Sequence, residues 1–170
     1  LPISQFYSDH IARLAEKRGR DVASRRLDVS MRRARVLDQH FADAPAAVEL
    51  VGAVLEEEPE HAGAVQYLEE RVQQGALDFF PLLEAYYERK ESWQQFVQLL
   101  QLKLNQTAET ELRRDIYVRV ADALDGHLNA GEMAFQALAR AYQENRADLE
   151  LMDKLEGLVE KYNEIGRAHV

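Results

Sequence analysis

Two aspartate–histidine pairs, Asp38-x-His40 and Asp125-x-His127, are the residues best equipped for chemistry. A carboxylate beside an imidazole is the elementary unit of proton transfer and of many metal sites. The spacing defeats both uses. Two positions apart on a helix, side chains point about 200° away from each other, so neither pair can share a proton or a metal ion. Each histidine is instead expected at a helix C-terminus, where a partly protonated imidazole faces unpaired carbonyls and the negative end of the dipole. His10, His61 and His169 have no matching ligands nearby. No nucleophile–base set, glycine-rich phosphate loop or metal-ligand spacing occurs. The absence of cysteine excludes thiol catalysis, disulfides and cysteine-ligated metals. We therefore expect no catalytic residue, no metal site and no cofactor.

Three polar clusters remain as binding candidates. Glu56-Glu57-Glu58 with Glu60 forms an acidic run at a helix junction; it reads as a solvated end, with Glu58 and Glu60 favouring the start of the next helix. Arg25, Arg26, Arg32, Arg33 and Arg35 circle their helix, a pattern for ion pairs with neighbouring helices more than for one binding stripe. The third cluster is the most informative. Gln94, Gln98, Gln101 and Asn105, spaced four, three and four apart, fall on one helical face opposite Trp93, Val97 and Leu100. A solvated face normally mixes Glu and Lys, whereas an amide stripe offers both donors and acceptors, as a grip on an extended peptide backbone requires. These four amides are the candidate partner-binding residues.

The elements that must position them announce themselves by repetition. Shifted by 87, Arg26–Val72 lies over Arg113–Val159 without a gap, with twelve identities that include Arg26/Arg113, Asp38/Asp125, Ala47/Ala134, Glu57/Glu144 and Val72/Val159. A gapless internal copy of this length marks a repeat architecture. The helical array is expected over residues 1–164, with a unit of about 87 residues covering 1–87 and, incompletely, 88–164.

Helical periodicity predicts about nine helices and no strand. Ser4–Lys17 is the first; Gly19 is expected to break the chain before a second from Asp21 to about Phe41. Pro45 suits the first turn of the third, Pro59 is expected to start the fourth, and Gly75 to end it. Pro81 falls in the first turn of the fifth. Ser92 or Glu91 is expected to cap the sixth and Thr107 the seventh, and Asn129 with Glu132 has capping-box spacing for the eighth. The ninth runs from about Ala147 to Tyr162. Five helices per unit reverse the direction of a hairpin stack, so Gln73–Pro81 is expected to break the alternation.

The segment Ile116–Leu124 followed by Ala134–Tyr142 resembles a tetratricopeptide helix pair, with Ala134, Leu138 and Ala141 in that family's small–large–small spacing. Pro59 matches the proline that closes its unit, and Arg146 stands in that place in the second copy. Leu82–Trp93 with Phe96-Val97 resembles the turn of large bacterial tandem-repeat proteins of this type. The resemblance implies a right-handed αα-solenoid of stacked antiparallel helices, a fragment of a larger protein, acting as a scaffold that binds other proteins.

The resulting expectation is a protein–protein interaction scaffold, not an enzyme. The alternatives are a structural spacer in a longer solenoid or the non-catalytic part of a larger enzyme or regulator. The partner is expected to be a protein or peptide. A net charge of −9 argues against nucleic acid, and no apolar run reaches membrane-spanning length. Residues 1–40 carry +4, so the remainder carries −13, which points to a basic or neutral partner. A cytoplasmic location is the expectation from the missing cysteines and missing signal pattern. Residues 165–170 are expected to be a non-native tail. They should resemble Asp78–Leu83 and do not, and Glu164–Val170 matches one reading frame of a common sequencing adapter.

Overall fold

The computed structural model describes the backbone of residues 3–168 and the side chains of residues 13, 16–19 and 21–163. Eight helices and no strand are present among them: α1 Ile3–Phe41, α2 Ala44–Glu57, α3 Ala62–Gln73, α4 Phe80–Arg89, α5 Trp93–Gln106, α6 Thr110–Gly126, α7 Gly131–Glu144 and α8 Leu149–Ala168. A short 3-10 turn over Leu77–Phe79 leads into α4. The chain divides into two compact units between Arg71 and Val72, inside the last turn of α3.

In the first unit α1 packs on α2. The expected break at Gly19 does not occur, which is why nine helices become eight. A helical glycine costs only about 1 kcal/mol against alanine, and the neighbouring Lys17, Arg18 and Arg20 are good helix formers. Leu27, Met31 and Ala34 supply the buried face of α1, and Ala47, Val51, Val54 and Leu55 that of α2. Ala34 and Ala47 are fully enclosed, small enough to let the helix axes approach. Asp43 caps α2 by accepting the Ala46 N–H at 3.1 Å, with Pro45 in the first turn. Pro59 does not open α3. That helix starts three residues later, where the buried His61 accepts the Ala64 N–H on Nδ1 at 3.1 Å.

In the second unit consecutive helices pack on one another from α4 to α8. Its core joins Phe96, Val97 and Leu100 of α5 with Ile116, Val120 and Leu124 of α6, Ala134 and Leu138 of α7 and Leu151 of α8. Gly75 takes a left-handed φ of 87° after α3, and Pro81 lies in the first turn of α4. Two expected caps have other roles. The Thr107 hydroxyl donates to the Lys103 carbonyl at 2.8 Å, closing α5 where it was expected to open α6. The Asn129 capping box does not form, because Asn129 adopts a left-handed φ of 51° in the turn and α7 begins at Gly131.

Gly131 itself is fixed by a close approach: a Cβ there would stand 1.8 Å from Tyr162 Cζ. Tyr162 leans over that glycine and donates its hydroxyl to Asp125 at 2.8 Å. Helix α8 continues to Ala168; the side chains from 164 onward, on which the expected tail falls, lie outside the described residues.

Candidate functional site

The amide stripe lies where its spacing predicts: Gln94, Gln98, Gln101 and Asn105 are all exposed on α5. Two of the four enter a concavity. Gln101 and Asn105 line a groove of about 400 Å³, together with Leu104 from the same helix. Helix α6 contributes Tyr117, Val120 and Leu124, and α7 contributes Met133, Gln136, Ala137 and Arg140. Gln94 and Gln98 continue the line along α5 but are not among the lining residues.

The groove has an apolar floor and a polar rim. Val120, Leu124 and Ala137 are buried at its base, while Gln101, Asn105, Gln136 and Arg140 are exposed around it. Rim donors and acceptors beside a buried hydrocarbon floor are what an extended chain needs, since its peptide groups must keep their hydrogen bonds when they leave water. Gln136 and Arg140 are one helical turn apart on α7. Their pattern is visible in the sequence, but nothing there shows that their face meets α5's amides; the packing of α6 between the two helices brings them together. Arg140 makes no hydrogen bond or ion pair among the described residues. It is also the one formally charged residue of the lining, which contains no carboxylate. The acidic balance of the chain after residue 40 therefore does not extend into this groove.

Tyr117 stiffens the α6 wall. Its hydroxyl stands 3.2 Å from Glu144 Oε1 and 3.4 Å from Arg113 Nη2. Burial, and then the charge of Glu144, raise its pKa, so the phenol stays neutral. Arg113 in turn holds Glu144 through two hydrogen bonds of 2.7 and 2.8 Å and donates to the carbonyls of Leu104 and Thr107 at 2.8 and 3.0 Å. One guanidinium thus ties the end of α5, the start of α6 and the end of α7 behind the groove.

In each aspartate–histidine pair the aspartate is held by residues of another helix. Asp38 is buried and accepts from the Tyr67 hydroxyl and, at 3.1 Å, from Arg71 Nη2. Burial and this carboxylate raise the Tyr67 pKa above its ordinary value. Asp125 binds Lys161 and Tyr162, each at 2.8 Å. The Lys161 hydrogen bond is the main reason its own pKa is lowered. His127 is the residue that ends α6, and its ring stacks on Trp93 with centroids 3.6 Å apart. Trp93 also meets Phe96 edge-on and is partly buried.

No group of three or more potential metal-ligating side chains occurs among the described residues. No described helix is long and apolar enough to cross a membrane. No family model, curated protein or solved structure matches the chain.

Proposed function

We propose that the second unit binds an extended protein or peptide segment in the α5–α6–α7 groove, as an interaction scaffold without chemistry of its own. The observation that supports this most is the convergence of Gln101, Asn105, Gln136 and Arg140 from two helices around one apolar floor. Amides can hydrogen-bond a peptide backbone in either direction, and the floor accepts a small or medium apolar side chain. The cationic Arg140 on the rim favours a segment that is neutral or carries a carboxylate near the bound stretch. That reading of partner charge replaces the one drawn from the chain's overall balance.

The test separates groove from stripe. Wild type, a Gln136→Ala/Arg140→Ala variant and a Gln94→Ala/Gln98→Ala variant are immobilised and used to capture partners from lysate of the source organism. The groove variant is expected to lose partners that the stripe variant retains. Raising the salt should weaken capture by wild type, because exposed charges are screened within about 10 Å at 0.1 M. Equal capture by all three proteins would return the groove to ordinary surface.

A further inference from the structure

Two apolar surfaces are left bare, and they carry opposite charge. The first is on α1. Val29 is 62% exposed, whereas Ile116, its counterpart at the 87-residue shift, is 5% exposed. Val22 and Val36 are exposed on the same line, seven residues to either side. Leu27, Met31 and Ala34 occupy the opposite side of the helix, where α1 meets α2. Arg25, Arg32 and Arg33 are exposed around the valines and make no hydrogen bond or ion pair among the described residues.

The second surface is a groove of about 360 Å³ between α7 and α8. Phe135 of α7 and Leu158, Val159 and Tyr162 of α8 line it. Val159 is 46% exposed, yet the identical Val72 of the first copy is 2% exposed. Met152, seven residues before Val159, is exposed on the same side of α8. The charges here are acidic. Glu132 is the one formally charged residue of the lining, and Glu156 and Glu160 are exposed beside Val159 along α8. None of these three carboxylates has a hydrogen bond or ion pair among the described residues. Lys154 and Lys161 lie on the other flank of α8, toward α6, where Lys161 holds Asp125.

The two patterns match in length and oppose in sign. Arg32 and Arg33 stand between Val29 and Val36 on α1, as Glu156 stands between Met152 and Val159 on α8. Each apolar pair spans seven residues, roughly 10 Å of helix. Laid together, the apolar pairs meet each other and the guanidinium groups meet the carboxylates. Each surface also holds a position that is buried in the other copy of the repeat.

We propose that the Val22–Val36 face of α1 in one copy of this chain docks in the α7–α8 groove of another copy. Burial of the valine line against Phe135, Met152 and Val159 supplies affinity. The arginines and glutamates select which faces meet, because like charges placed together are costly.

Sedimentation equilibrium over a concentration series tests this with full-length chains. The average mass of wild type should rise above that of one chain as concentration increases, and added salt should lower it. Arg32→Glu/Arg33→Glu and Glu156→Arg/Glu160→Arg should each raise the dissociation constant by about 100-fold or more. All four positions are exposed, so far-ultraviolet circular dichroism should not change. The α5–α6–α7 groove is unaltered in both variants. Mixed together, the two variants should associate again, since the first keeps the acidic groove and the second keeps the basic helix. A wild type that stays monomeric up to about 1 mM would overturn the proposal. Self-association of either variant at wild-type strength would also overturn it, because the contact would then join two like faces. So would a mixture that stays monomeric while wild type associates.

Discussion

The two copies of the repeat keep one contact and rebuild the others. Arg26 pairs with Glu57 in the first unit as Arg113 pairs with Glu144 in the second, four identical residues making the same tie. At the entrance to each copy's third helix the position is kept and the residue is not. His61 accepts the Ala64 N–H through an imidazole nitrogen, and Asp148 accepts the Leu151 N–H through a carboxylate, both at 3.1 Å. The aspartates at 38 and 125 are identical, but their neighbours differ: a tyrosine and an arginine on α3, a lysine and a tyrosine nearer the end of α8. Repetition therefore preserves which positions face inward more faithfully than which bonds they make. A buried acid must be satisfied by whatever donor the next helix offers.

That comparison can be broken most forcefully at the aspartates. Asp38→Ala would strand the Tyr67 hydroxyl and Arg71 and should cost about 3–5 kcal/mol, as removal of one partner from a buried charged network does. Asp125→Ala removes partners that are closer to water and should cost about 1 kcal/mol or less. Urea unfolding of the two variants checks this; equal losses would mean the two copies use their aspartates alike. Position 29/116 comes next. Ile116→Ala should cost about 2–5 kcal/mol through the cavity it leaves. Val29→Ala at low protein concentration should stay within about 0.5 kcal/mol, as exposed sites do. A comparable loss at both positions would show that the first unit covers Val29 itself.

The smallest effect is in acid. Arg113, Arg114 and Lys161 hydrogen bonds hold Glu144, Asp148 and Asp125 below their ordinary pKa values. Groups with depressed folded values contribute stability above their unfolded pKa, about 4, and lose it as pH falls through the folded value. The melting temperature should drop below about pH 4, and Asp148→Asn should flatten that drop while weakening the start of α8 by roughly 1 kcal/mol. A profile unchanged by Asp148→Asn would remove this acid from the balance.

Much of the helical content was legible because apolar residues recur at helical spacing and Pro45 and Pro81 sit where first turns tolerate them. The starts and stops were harder. Gly19 and Pro59 are weak local signals, and good helix formers around one and the His61 cap beyond the other decided the outcome. Thr107 and Asn129 carry capping side chains whose partners depend on backbone φ, which spacing alone does not reveal. The same limit applies to the groove. Gln101 and Asn105 could be picked out from their stripe; Gln136 and Arg140 could not, because only the packing of α6 brings them opposite.

The cross-helix ties described here also bear on how the chain folds in time. From Lys103–Glu84 to Tyr162–Asp125 they link residues 19 to 37 positions apart. Loops that short close early and at little entropic cost, and chains dominated by such near-neighbour contacts fold in microseconds to milliseconds. Each of these ties can thus form soon after its second helix leaves the ribosome, without waiting for distant sequence.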